Sequence, residues 1–449
     1  MIRHWVVPVF LLFCLLLGGA SAAGFVANLV LQLAALPLIG WGLWQLVQPG
    51  PPLSRSIRAL LGLAALTVLV ALAQIVPLPP MLWRWLPGRG PVVEGFRLLG
   101  IELPWLSLSL TPEASLAGLL WLLPAFAALL GTAVLGAFRG RAIAGVLVAV
   151  TIVSIALGAV QLIGGNGAYL YRITNYGVAV GFFANANHNA TLLLATIPFL
   201  AALGATLLAK RASPRSASAI RLLVAAGFAV IVVGLVINGS LAGIGLGVPV
   251  AMATWLAFGR LRPTVRRGLA GVAMALSLGA VVFVALDPGN NLLGTQQDHV
   301  ELSRQTSFAV TWRAAGEYFP VGSGIGSFQP VYRTQEPPTQ VTATYMNHAH
   351  NDWLELLLET GLPGVLLAGA FLVWWGLRVR ETWRAETPDR FAQAAVIATA
   401  AMMLHSIVDY PLRTAALSTL FAICLALMAG ARPFVQRSRS ASSTRHLDL

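Results

Sequence analysis

The sequence predicts an all-α polytopic membrane protein of about 12 transmembrane helices, with a large extracytoplasmic loop between spans 9 and 10. Three observations carry that prediction. Only 10% of the 449 residues are charged, against about 25% in ordinary soluble domains. Mean hydropathy is +0.78, and apolar runs of roughly 17–25 residues, the length that crosses a bilayer as a helix, recur from end to end. The cations between those runs favour alternate connections, as the positive-inside rule requires.

Taken in order, the expected spans are 5–20, 24–47, 57–77, 114–137, 141–163, 188–209, 219–238, 240–258, 267–286, 351–377, 391–410 and 413–431. Arg3, the apolar stretch behind it and Ala20-Ser21-Ala22 together resemble a signal peptide with a small-residue cleavage site. Retention as the first span is the preferred reading. With the N-terminus in the cytoplasm, 21 of the 29 cations fall in cytoplasmic segments, while 12 of the 16 acids fall outside. Both termini are then cytoplasmic.

The chain divides into N-terminal helices over 1–163, a core over 164–431 that includes the extracytoplasmic loop 287–350, and a disordered basic cytoplasmic tail over 432–449. That tail can touch anionic membrane lipid. Net charge is +13, but the cations alternate with spans and form no single patch, which argues against nucleic acid as a partner. Cys14 and Cys424 sit in opposite terminal apolar runs and imply no disulfide framework. The loop 78–113, with Trp83, Trp85 and Trp105, reads as an interfacial segment, because tryptophans anchor at headgroup level.

The densest polar stretch is Asn347–Gly364, NHAHNDWLELLLETGLPG, where the large loop enters the tenth span. His348 and His350 can move protons near neutral pH. They are equally readable as hydrated loop histidines. A structural zinc site would recruit cysteine, and the cysteines lie elsewhere, so no metal is expected. Asn351 precedes Asp352, Glu355 and Glu359, which follow i, i+3, i+7 spacing and share one helix face. Ionisable groups within a span suggest function by default. Capping of the helix N-terminus and pairing with outer arginines is the plain alternative, and it suits Asp352 better than Glu359.

Eight arginines are expected outside: Arg84, Arg89, Arg97, Arg172, Arg304, Arg313, Arg333 and Arg413. Arginine suits bidentate phosphate recognition, although a general preference for Arg over Lys accounts for part of the set. Arg313 stands just before FPVGSGIGSF, whose Gly322, Gly324 and Gly326 make a turn able to offer backbone N–H groups to an anion. The sixth span opens with GFFANANHNA, placing Asn185, Asn187, His188 and Asn189 at the outer interface. They suit sugar hydroxyls, and a helix N-cap explains one of them. In HSIVDYPLR, His405 and Asp409 read mainly as a structural buttress for that outer site.

Together these pieces resemble the bacterial O-antigen ligase and O-antigen polymerase superfamily. GFFANANHNA is similar to its G-x-F-x-N-x-N-x-x-A signature, and Arg313 with PVGSGIGSF to its arginine and glycine run. HAHNDWLELLLETGLPG resembles its H-N-x-x-L-x-x-x-x-E-x-G-x-x-G block, and HSIVDYPLR a segment common late in these proteins. One departure is evident. Many members carry a serine–arginine pair at the outer turn before the eighth span, where this chain reads Asn238-Gly239-Ser240-Leu241. Either Arg172, Arg304 or another outer arginine substitutes, or the substrate is unusual.

The resemblance implies an inverting, metal-independent glycosyltransferase acting on the outer face of the inner membrane. Its donor would be an undecaprenyl-diphosphate-linked glycan, and its acceptor a hydroxyl on lipid A core or on a growing polysaccharide. It implies no cofactor. It makes His350 the base, with His348 beside it, and Arg313, Arg172 and Arg304 the cations that hold the diphosphate. Asn185, Asn187, His188, Asn351 and Glu359 become glycan or acceptor contacts or structural supports. Two other readings compete: a protein O-oligosaccharyltransferase, and a lipid-linked glycan flippase with no transferase activity. A transporter would place ionisable groups near the bilayer midplane, whereas here they gather at the outer edge.

Overall fold

The computed structural model describes residues 2–22, 25–209, 213–259, 263–285, 304–338 and 346–434. Part of the loop 287–350 and most of the basic tail 432–449 therefore lie outside the described residues, as do Lys210, Arg211, Arg260 and Arg262. The described chain is mostly helical. In order the helices are α1 (Val6–Leu17), α2 (Val26–Val47), α3 (Arg55–Ile75), α4 (Pro80–Trp83), α5 (Gly90–Leu98), α6 (Pro112–Trp121) and α7 (Leu123–Ala133). Then come α8 (Gly140–Gly164), α9 (Ala186–Leu208), α10 (Pro214–Asn238), α11 (Leu241–Phe258) and α12 (Pro263–Ala285). Two short helices follow in the large loop, α13 (Arg304–Tyr318) and α14 (Phe328–Gln335). The chain ends with α15 (Asp352–Arg384), α16 (Arg390–His405) and α17 (Ala415–Met428).

Among the described residues, 8 helices are long and apolar enough to cross a membrane, counting α6 and α7 as one unit. The other expected spans also coincide with helices, but α1, α16 and α17 are short, with 12, 16 and 14 residues. Local capping explains where the helices begin. Ser54, Asn185, Ser213, Ser240, Asn351, Asp389 and Thr414 each accept a backbone N–H from the first turn of the helix they precede, which satisfies donors that a helix start leaves orphaned.

The helices are not equivalent. The spanning windows of α3 and α10 are 17% buried, whereas that of α9 is 67% buried, so α9 runs through the interior and α3 and α10 face outward. Short α16 and α17 are almost wholly buried beside it. The main core joins Leu192, Ala195 and Phe199 of α9 to Ala394 and Ala398 of α16 and to Leu417, Leu420 and Cys424 of α17. α1 enters the same core through Val7, Leu11 and Cys14. Helices with too few residues to span alone are thus held by neighbours rather than by lipid. At one end of the bundle the N-termini of α9, α11, α15 and α17 gather with the C-terminus of α16, and the site lies there.

The loop 78–113 is more than an interfacial anchor. Pro77–Leu78 pairs antiparallel with Leu106–Ser107, and Trp83 is fully buried with its Nε1–H donating to Pro104 O at 2.9 Å. Trp85 and Trp105 stay exposed and keep the expected character. Pairing of the loop's two ends turns one tryptophan inward, which hydropathy along the chain does not register.

Candidate active site

His348 and His350 occupy a short irregular stretch just before α15, with a bend at each histidine. The two rings meet different carboxylates. The Nδ1 of His348 lies 2.8 Å from Oε1 of Glu355, whose Oε2 accepts the backbone N–H of Ala349 at 2.8 Å. The Nδ1 of His350 lies 3.2 Å from Oδ1 of Asp409, in the turn after α16. Both carboxylates are buried, at 1% and 0% exposure, while the rings keep 17% and 18%. Each imidazole is therefore held from behind by a carboxylate, in the arrangement that fixes its tautomer and leaves Nε2 without a hydrogen bond among the described residues. His350 is also the one non-glycine residue at positive φ (51°) among the described residues. Such a backbone carries a cost and persists only where its surroundings impose it.

The three carboxylates on the opening face of α15 converge on one cation. Arg413 reaches Asp352 through Nε at 3.4 Å, Glu355 through Nη1 at 3.2 Å and Glu359 through Nη2 at 3.2 Å. Asp352 also accepts from Ser406 Oγ at 2.8 Å. The i, i+3, i+7 spacing thus lines up a receptor for a single guanidinium, whose planar fork serves several oxygens at once. Glu359, which fits a capping role poorly in sequence, is paired here. Its Oε1 accepts the N–H of Gly326 at 2.8 Å, and its backbone carbonyl accepts from Gly324 N at 2.9 Å and Gln74 Nε2 at 2.8 Å.

That geometry changes the reading of the glycine loop. The N–H groups of Gly322, Ser323, Gly324, Ile325, Gly326 and Ser327 all donate within the protein, to Tyr318 O, Leu358 O, Glu359 O, Gln74 Oε1, Glu359 Oε1 and Gly324 O. None is left to cradle an anion. The glycines are needed because the loop lies against other backbone: a Cβ at Gly322, where φ is 80°, would come within 2.6 Å of Glu359 O. The loop clamps α15 to α3 and α6.

The asparagine-rich start of α9 is also engaged within the protein. Asn185 caps α9 through Asn187 N at 2.8 Å, and Asn187 Oδ1 accepts from Ser240 Oγ at 2.6 Å. Asn351 caps α15, accepting from Trp353 N and Leu354 N at 3.0 Å each. His188 is 1% exposed, inside the protein rather than on a glycan-facing surface. Its ring stands edge-on to Tyr410, with centroids 4.9 Å apart. His405 is fully buried, its Nδ1 lying 2.8 Å from Thr191 Oγ1.

Of the arginines expected to hold a diphosphate, Arg313 and Arg172 are exposed. Arg313 is on the exposed side of α13 with Trp312, while Val310, Ala314 and Tyr318 make that helix's buried side. Arg172 is exposed in the connection between α8 and α9. The side chain of Arg304 lies outside the described residues. Among the described residues, no group of three His, Cys, Asp or Glu is arranged to hold a metal ion.

Sequence reasoning under-weighted the segment His405–Arg413. Asp409 is the partner of His350, Tyr410 touches three histidine rings, and Arg413 gathers the acidic face. The available signal was a carboxylate, a phenol and a guanidinium within five residues beyond an apolar run. Residues 226–369 match the family described as O-antigen ligase. That match supports an O-antigen ligase-related family for this stretch of the chain. The match covers the glycine loop, both histidines and the carboxylates of α15, and the fold adds to this O-antigen ligase region Asn185, His188, Asp409, Tyr410 and Arg413 from outside it. No curated protein matches the chain. The match and the 8 membrane-length apolar helices together support a multi-pass membrane protein of O-antigen ligase type, in surface polysaccharide assembly with a lipid-linked glycan as donor class.

Proposed function

We propose that the protein transfers a glycan from an undecaprenyl-diphosphate carrier to a hydroxyl of lipid A core or of a growing polysaccharide, at the periplasmic face of the inner membrane. The observation that carries this reading is His350: held at positive φ, fixed through Nδ1 on buried Asp409, and partly open at its other edge. In the proposed step, Nε2 of His350 takes the proton of the acceptor hydroxyl as its oxygen bonds to the anomeric carbon. The bond from that carbon to the diphosphate breaks, and the electron pair departs with the phosphate oxygen. A single displacement inverts the anomeric centre.

Two features support direct, metal-independent displacement. Glu355, Glu359 and Asp352 are engaged by Arg413, and Asp409 by His350, so a carboxylate nucleophile for a covalent intermediate would first have to leave a buried ion pair. Those same engagements occupy both carboxylate oxygens of Asp352, Glu355 and Glu359. Arg313, Arg172 and Arg304 are proposed to meet the charge that develops on the leaving diphosphate. The exposed side chains of Arg313 and Arg172 can swing toward a lipid-borne anion.

The test is transfer by purified protein. The donor is the carrier-linked glycan that accumulates in cells lacking the gene, and the acceptor is lipid A core from the same cells. Transfer should vanish with His350→Ala and survive a chelator. Undiminished transfer by His350→Ala overturns the base assignment, and movement of the donor across vesicles without transfer overturns the enzyme.

A further inference from the structure

Tyr410 is the residue on which the site's rings rest, and the proposed chemistry makes no use of it. Its ring centroid lies 4.4 Å from His348 at an interplanar angle of 40°, and 4.9 Å from His350 at 76°. On its other side His188 approaches at 4.9 Å and 84°. The side chain is 4% exposed, and its hydroxyl accepts from Asn347 Nδ2 at 3.0 Å. Asp409, the partner of His350, precedes it, and Pro411–Arg413 form the 3-10 turn that carries Arg413 to the acidic face.

One hydrogen bond at Nδ1 does not fix an imidazole. The torsion between Cβ and the ring is broad, so a ring tethered at one nitrogen pivots about that bond and swings Nε2 through an arc. A flat, buried neighbour removes that freedom. The contacts to His188 and His350 are edge-on, the geometry that ring quadrupoles favour. Both candidate proton-transfer histidines share this one support.

We infer that Tyr410 is a positioning residue for the proposed transfer: its ring, rather than its hydroxyl, sets where the free Nε2 atoms of His348 and His350 point. The inference rests on the function proposed above. His188 closes the buried side, so the tyrosine ring is held between one interior histidine and two partly open ones. The role falls to an aromatic plane, because no hydrogen bond from Tyr410 reaches either open ring.

The experiment compares wild type, Tyr410→Phe and Tyr410→Leu, using donor and lipid A core from cells lacking the gene. Tyr410→Phe keeps the ring and should stay within about threefold of wild-type kcat. Tyr410→Leu should lose roughly 100-fold in kcat, the scale of an ångström-level misplacement, with donor KM unchanged. A second readout needs no turnover: carbethoxylation of His348 and His350 by diethyl pyrocarbonate, followed by peptide mass spectrometry. Labelling rates should match between wild type and Tyr410→Phe and change in Tyr410→Leu. Wild-type kcat and labelling in Tyr410→Leu overturn the inference. Equal loss in Tyr410→Phe overturns it too, by moving the role to the hydroxyl. So does a fall in kcat and a rise in KM that simply track a lower melting temperature. Absence of transfer by the wild type counts against the function alone, because the labelling comparison still tests the ring.

Discussion

His350 Nδ1 and Asp409 Oδ1 stand 3.2 Å apart although 59 residues separate them in the chain. The first closes the large loop ahead of α15, and the second lies in the turn after α16. Their meeting depends on α15 and α16 packing at one end so that Asp352 N–H donates to Ser406 O at 2.9 Å and to Asp409 O at 3.3 Å. From that relationship comes the first prediction. Asp409→Asn keeps the volume but offers an amide where a carboxylate fixed the tautomer. The kcat of transfer should fall by roughly 10²–10⁴, the range general-base catalysis supplies, with donor KM little changed. Steady-state kinetics check this.

Arg413 balances three carboxylates, two of them at 1% and 2% exposure. Removing one partner of a buried ion cluster costs about 3–5 kcal/mol, because the remaining charges are left uncompensated. Arg413→Met should lower the melting temperature steeply in detergent. Arg413→Lys should recover only part of the loss, since an ammonium cannot reproduce the fork. Full stability in Arg413→Met would show that the acids are held by something else.

Gly324 has φ 105°, and an added Cβ would collide with Ser109, whereas Gly316 on α13 has open space around it. Gly324→Ala should therefore destabilise by about 1–3 kcal/mol from backbone strain alone, and should loosen the clamp on Glu359. Gly316→Ala should be neutral or slightly stabilising. Thermal melts of the pair separate a structural loop from an anion-binding one: the clamp predicts loss of stability without any ligand present.

Arg313 is exposed, so Arg313→Ala should leave stability within about 0.5 kcal/mol. Its expected effect is a raised KM for the carrier-linked donor, read from transfer kinetics at low and high salt. An unchanged KM would remove Arg313 from the diphosphate site.

Much of the architecture was legible in the sequence, because hydropathy is a local property: an apolar run of sufficient length reads as a membrane helix whatever lies beside it. The density of Asn347–Glu359 was legible for the same reason, as was the shared face of Asp352, Glu355 and Glu359, which needs only helical periodicity. The resemblance over 226–369 was legible too, in the motifs that follow Arg313 and surround His350. Partner choice was not legible. Tertiary structure alone decided that Asp409 backs His350, that Arg413 rather than Arg313 meets the acids of α15, and that every amide of Gly322–Ser327 is already taken. It also turned His188 inward against Tyr410 and buried Trp83. Charges, rings and amides find partners by distance in space, and that distance is set by how α9, α15, α16 and α17 pack at one end of the bundle.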